Sequence, residues 1–172
     1  ESGDAPLLIS LGAMSLGDED ALTNARLFVE AVQQAGKRAI IQGWETGMKQ
    51  LKLPETIFTA GSLPHDWLLP CCSGIVHHGG YGTTSAGLRA GIPQFIIPSV
   101  ADQFYWGRRV YELGAGLPFI PRPRLTKDYL AAALSKLPDY PGLRESAVRL
   151  GAQIRAEPGV ETAIKLIEQI FG

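Results

Sequence analysis

The stretch Ser73-Gly74-Ile75-Val76-His77-His78-Gly79-Gly80-Tyr81-Gly82-Thr83-Thr84 decides the fold. Its first five residues are a short apolar run carrying β-branched Ile75 and Val76, which reads as a buried strand. Glycines follow at 79, 80 and 82, so the chain turns sharply and leaves room for a ligand. Thr83, Thr84 and Ser85 then open a helix, expected over 83–90, with hydroxyl and backbone donors at its start. A helix start carries free N–H groups and a partial positive charge, which together attract phosphate. His78 stands at the lip of that turn. A neutral imidazole there donates one hydrogen bond, and a protonated one adds charge. The bland reading of the same residues is a tight turn with a capping threonine. The glycine spacing is not Gly-x-Gly-x-x-Gly, and no Gly-Lys-Ser/Thr is present to make a P-loop.

Outward from this stretch, apolar runs alternate with helical patterns. Strands are expected at 6–11, ending in Gly12, and at 38–42, 56–59 and 73–77. Two more are expected at 94–97, bounded by Pro93 and Pro98, and at 117–120. A helix over 18–34 gathers Leu22, Ala25, Leu27, Phe28, Val29 and Val32 largely on one side and stops at Gly36. Further helices are expected over 103–113, 126–136, 143–155 and 160–171. Strands alternating with helices imply a Rossmann-like α/β fold, a parallel sheet with helices on both faces. Continuous apolar strands suit burial on both sides. Ligands of such sheets sit beyond the carboxyl ends of the strands, where the glycine turn lies.

At 172 residues the chain is long enough for one domain with a real core. A net charge of −1 provides no field for nucleic acid, and the one basic cluster, Arg122-Pro123-Arg124, is short. Cys71 and Cys72 are neighbours with no third cysteine, so they read as free thiols suited to a reducing compartment. His65, His77 and His78 lack zinc-ligand spacing, so no metal is expected. No apolar run reaches the ~20 residues that span a bilayer.

From Pro64 to Gly107 the sequence resembles the signature of family 1, GT-B-fold glycosyltransferases, in the branch acting on sterols, other lipids and natural-product aglycones. The residues that carry the resemblance are Pro64-His65-Asp66-Trp67-Leu68, then His77 through Thr84, Gly87-Leu88-Arg89-Ala90-Gly91-Ile92-Pro93, Pro98, Asp102-Gln103 and Trp106-Gly107. A looser likeness runs from Ser10-Leu11-Gly12 to the last helix, so it covers nearly the whole chain. The resemblance implies a site for a nucleoside-diphosphate sugar, with UDP-glucose as the expected donor. His78 and the turn containing Gly80, Gly82 and Thr83 would bind the diphosphate. Leu63 to His65 would border the base, and Gly12 would let the first loop approach the phosphates or the sugar. Asp102 and Gln103 would hold sugar hydroxyls, a job suited to a carboxylate beside an amide.

Some positions depart from the pattern or read differently on their own. Ala86 stands near where plant-type members carry a ribose-gripping glutamate. Ala60 to Ser62 occupies the region of their base-stacking tryptophan. Trp44, at a strand end, is the substitute assigned to the donor site, while Trp67 is read as core. His77 is expected to be packed and hydrogen-bonded. Asp102 alone would be read as a helix cap. Arg108 and Arg109 read as surface or ion-paired, and Tyr111 and Leu113 as core. No nucleophile or base constellation is visible. The resemblance places the base, a histidine supported by an aspartate, on an N-terminal domain absent from these residues. The expectation is therefore a single nucleotide-sugar-binding domain over 1–172, the C-terminal half of an inverting hexosyltransferase, inactive alone. Its partners would be a UDP-sugar and, through the missing half, a sterol, lipid or other small acceptor, with no cofactor. It would lie in the cytoplasm, or at a membrane through the rest of the protein. A UDP-sugar epimerase half and a stand-alone nucleotide-sugar-binding subunit are the alternatives.

Overall fold

Among the residues described by the computed structural model, 3–11 and 18–171, five short strands form one sheet. They are β1 (Leu7–Ser10), β2 (Ala39–Gln42), β3 (Ile57–Thr59), β4 (Gly74–His77) and β5 (Gln94–Ile96). Their order is β3-β2-β1-β4-β5, and every pairing is parallel. The helices are α1 (Asp18–Ala35), α2 (Glu45–Met48), α3 (His65–Leu68), α4 (Tyr81–Ala90), α5 (Gln103–Glu112), α6 (Lys127–Lys136), α7 (Leu143–Ala156) and α8 (Gly159–Phe171). This is the Rossmann-like α/β architecture expected from the sequence.

Alternate strand residues serve opposite layers, as the strand period of two requires. Leu7, Ile9, Ile41, Val76 and Phe95 pack with Ala25, Phe28 and Val32 of α1 and Leu130 and Leu134 of α6. Leu8 and Ile75 face the other way, toward Leu68, Leu69, Cys72 and Ile92. Ile96 joins that second side with Val110 of α5 and Ala147 of α7. Each fully buried Leu, Ile or Phe contributes about 1.5–3 kcal/mol. That term, more than intrinsic propensity, holds strands of three or four residues in place.

The segment expected as a sixth strand, 117–120, is not one. A single bridge joins Gly116 to Gln94, and the Leu117 and Ile120 N–H groups donate to the Gln94 and Ile96 carbonyls. A regular parallel ladder would bring the Phe119 N–H to Ile96, and the use of Ile120 instead breaks the register after one bridge. The two four-residue helices α2 and α3 were not expected, being too short to show a helical period.

Several side-chain readings also change. Trp44 is buried at 6% exposure and its ring stacks on Phe28 at 4.7 Å, so it belongs to the core and not to the donor cleft. The Arg122 guanidinium lies 5.5 Å over the other partner of that stack, Phe28, and donates to Asn24 Oδ1, so the basic cluster is partly tied into the core. Trp67 is 65% exposed, because α3 is one turn long and turns only Leu68 inward. Tyr111 is 51% exposed, since α5 buries the row Gln103, Gly107 and Val110, and Leu113 is only half-buried. Gly12 lies outside the described residues.

No residue of α8 is buried, although Val160, Ile164, Ile167 and Phe171 form an apolar stripe at helical spacing. Among the described residues no helix is long and apolar enough to cross a membrane.

If Trp44 is a core residue, Trp44→Ala should lower unfolding free energy by about 3–5 kcal/mol in a denaturant titration, the usual cost of truncating a buried aromatic. A loss under 1 kcal/mol would return Trp44 to the list of cleft residues.

Candidate functional site at the carboxyl edge of the sheet

β1 pairs with β2 on one side and β4 on the other, so the chain reverses its winding at β1. The register sets Ser10 beside His77. Their carboxyl ends open the crevice where doubly wound sheets bind ligands, and the glycine turn leaves β4 there.

Below the turn lies His77, fully buried and hydrogen-bonded as expected. The Gly79 N–H donates to His77 Nδ1 at 3.1 Å, and Nε2 lies 2.7 Å from Gln94 Oε1. Burial, outweighing the Gln94 contact, pushes the ring down to about 3, with His78 and His65 adding to the fall. The ring is therefore neutral. Gly79 sits at φ +92, open to glycine and strained for other residues. A Cβ there would lie 2.8 Å from Ile96 Cγ2 and 2.9 Å from the Gln103 carbonyl, so the turn packs hard onto α5.

The turn then enters α4. The first amide bonded inside the helix is Thr84, to the Gly80 carbonyl, so the N–H groups of Tyr81, Gly82 and Thr83 have no acceptor within it. Thr84, read from sequence as a donor at the turn, is buried, with its hydroxyl bonded to the same carbonyl at 2.9 Å. Thr83 is half-buried, and a Cβ on exposed Gly82 would meet nothing within 4 Å. His78 folds back over the start of the helix. A Cβ on Gly80 would collide with its Nε2, so glycine at 80 is what admits the ring. Its Nδ1 is enclosed and has no hydrogen-bond partner among the described residues. Burial draws His78 below the ordinary histidine value, opposed by the Asp102 carboxylate and the Ser10 backbone. The unliganded ring is thus biased toward neutral and can donate one hydrogen bond.

Asp102 precedes α5, on the far side of the crevice. It makes no capping bond; its Oδ2 accepts from Trp106 Nε1 at 3.1 Å. Gln103 is 4% exposed, and its Oε1 accepts from the N–H groups of Ser99 at 2.8 Å and Val100 at 3.1 Å, bracing the loop that presents Asp102. Ala101 in that loop holds φ +51, strain of about 1–3 kcal/mol for a residue with a Cβ. Tyr81 and Trp106 meet at 5.2 Å between ring centres, joining the starts of α4 and α5.

Half-buried Leu63 packs beside Leu68 and Ile75, and His65 opens α3. The Gln42 side chain ties this loop to β2 through the Gly61 carbonyl at 2.7 Å. Nearby, a cleft of about 440 Å³ opens at the carboxyl ends of β2 and β3, lined by Gly43, Glu45, Met48, Leu51, Thr59 and Gly61. None of the expected donor residues among the described ones lines it. Gln94 and Trp106, which brace His77 and Asp102, were missed as well. Both carry ordinary sequence signatures, one a strand residue and the other a helical aromatic.

The profile of the family described as erythromycin biosynthesis protein CIII-like, C-terminal domain, matches residues 28–170. The chain is 36% identical over 166 residues to a sterol 3-beta-glucosyltransferase of Arabidopsis thaliana, covering 95% of this chain and 26% of that protein. It is 39% identical over 173 residues to a sterol 3-beta-glucosyltransferase of Pichia angusta, covering 97% of this chain and 14% of that protein. The solved structure of the glycosyltransferase VinC in complex with dTDP is similar, with a TM-score of 0.78, at 28% identity over 96% of this chain and 43% of that one. The chain therefore spans about a quarter or less of the length of these curated relatives.

His77 makes stability depend on pH. Its folded value, about 3, lies below the ordinary 6.5, so the unfolded chain binds a proton that the folded one refuses. The contribution is complete above 6.5 and is lost as pH falls toward 3, reaching about 2 kcal/mol at pH 5. His78 acts in the same direction. Comparison with His77→Asn isolates the first histidine: between pH 7 and 5 the wild-type chain should lose about 2 kcal/mol more than the variant in urea unfolding. Parallel pH profiles would mean that His77 titrates normally in the fold.

Proposed function

The chain belongs to the family of erythromycin biosynthesis protein CIII-like C-terminal domains, and on that premise we propose that it is the donor-binding half of an inverting, two-domain GT-B glycosyltransferase. It takes a nucleoside-diphosphate sugar, UDP-glucose, while the facing domain holds a sterol, another lipid or a small hydroxylated acceptor. The enzyme works in the cytoplasm or at a membrane reached through the rest of the protein. The observation that carries this reading is the glycine turn at the β1–β4 crevice, with open amides at the start of α4 and His78 folded over them. The names of the two sterol glucosyltransferases and the dTDP in VinC support donor class and acceptor class.

In this mechanism the domain stabilises the departing diphosphate. The α4 amides and the His78 imidazole place donors where negative charge grows, the usual form of electrostatic catalysis, and no metal ion is required. Asp102 faces the hexose, and Gln103 and Trp106 keep it in position. Leu63 to His65 border the base. The general base comes from the facing domain, and the apolar stripe of α8 gives that domain something to cover.

Titration of the full chain with UDP and UDP-glucose tests the reading. His78→Ala should weaken both by about 10- to 150-fold, the effect of losing a hydrogen bond to a charged group, with an unchanged melting temperature. Asp102→Ala should weaken UDP-glucose more than UDP. Unchanged UDP affinity in a folded His78→Ala chain removes His78 from the site.

The 172-residue chain alone should bind UDP-glucose and transfer nothing to sterol or phenolic acceptors. Loss of a base alone slows transfer about 10²- to 10⁴-fold, and loss of acceptor positioning slows it further. Robust glucoside formation by these residues alone would place a base among them.

A further inference from the structure

Beneath the turn, polar groups are buried as completely as the core. His77 and Gln94 are 0% exposed and Thr84 is 1% exposed. Their hydrogen bonds close a circuit. The Gly79 N–H donates to His77 Nδ1 at 3.1 Å, which fixes the ring proton on Nε2. Nε2–H donates to Gln94 Oε1 at 2.7 Å. Gln94 Nε2 donates to the Thr84 carbonyl at 3.2 Å, and the Thr84 hydroxyl donates to the Gly80 carbonyl at 2.9 Å. The circuit begins at Gly79 and ends at Gly80, adjacent residues of the turn. Each of these side chains is bonded within the circuit, so moving one leaves a buried partner unpaired.

We propose that His77 and Gln94 are positioning residues for the diphosphate site, a buried clamp that sets the Gly79–Gly80 peptides, and through them the α4 amides and His78, before ligand arrives. The proposal rests on reading that turn as the diphosphate site. The clamp withdraws the Gly79 N–H from ligand use, so the donors offered to a phosphate begin beyond it. It also explains why two polar side chains occupy inward strand positions. His77 of β4 bonds the turn and Gln94, and Gln94 of β5 bonds His77 and α4. Neither residue touches the ligand, and both act through the peptides they hold, a form of preorganisation.

The test uses His77→Leu, His77→Asn and Gln94→Glu in the full chain. Asn keeps an acceptor for the Gly79 N–H. As a carboxylate, Glu keeps an acceptor for Nε2–H, loses the donor to Thr84 and adds a buried negative charge beside His77. UDP and uridine affinities are measured with Gly79 amide exchange and melting temperature. His77→Leu should weaken UDP by about tenfold or more, leave uridine unchanged, and release Gly79 exchange while the amides of β1 stay protected. His77→Asn should recover most of the UDP affinity. Gln94→Glu should weaken UDP without weakening uridine, and it carries the test if His77→Leu does not fold. UDP binding unchanged in folded His77→Leu and Gln94→Glu chains, or uridine weakened as much as UDP, overturns the clamp while leaving the donor site standing. A wild-type chain that binds neither UDP nor dTDP overturns both.

Discussion

The site depends on β1 being paired on both sides. With β2 on one side and β4 on the other, the winding reverses at β1, and a gap opens beyond the carboxyl ends of β1 and β4. That gap follows from topology and would exist whatever side chains lined it. The glycines after β4 then decide what the gap can hold. Gly79 turns the chain at a positive φ against Ile96 and α5, and Gly80 leaves room for an imidazole. A larger residue at either position would drive the turn into the crevice or the histidine out of it.

Such a turn would be soft if only its own backbone held it. Glycine has the largest conformational freedom to lose on folding, and here two are adjacent. The compensation comes from below. Unpaired, the buried polar atoms of His77 and Gln94 would each cost about 1–3 kcal/mol. Paired to the turn and to α4, they make one arrangement much better than its neighbours. Directional bonds therefore fix the turn where an apolar floor would only support it. The loop before Asp102 follows the same logic. Ala101 is strained, and the buried Gln103 oxygen gathers two backbone N–H groups to hold it there.

The sheet was legible in the sequence because buried parallel strands are continuous apolar runs, and the glycine turn because its composition is unusual. What failed had physical reasons. Segment 117–120 is apolar enough for a strand, but it slips register against β5 after a single bridge, which hydropathy does not encode. Trp44 and Trp67 exchanged fates: one entered the core through a stack on Phe28 contributed from a distant helix, the other was left outside by a helix one turn long. Asp102 sits at the N-cap position of α5 and its carbonyl accepts the Trp106 N–H, but its carboxylate bonds the Trp106 ring nitrogen and caps no backbone N–H. The Trp44 and Trp67 errors concern a partner on another helix and an element too short to have a period.

His78 feels the Asp102 carboxylate electrostatically across the crevice. Burial keeps the imidazole toward neutral, and the carboxylate pulls the other way. In the proposed reading a diphosphate brings negative charge against the ring on the side of the α4 amides. That charge adds to the pull of Asp102, so protonation becomes easier as the ligand seats and easier still as the leaving diphosphate gains charge. A permanently charged lysine at the same point would bind substrate and product alike before and after transfer. A histidine tuned below its ordinary value strengthens its interaction as charge develops, which is the differential binding that raises a rate and does not merely hold the donor. The price is a half-buried ring with an enclosed Nδ1, and the glycine at position 80 is the feature that makes room for it.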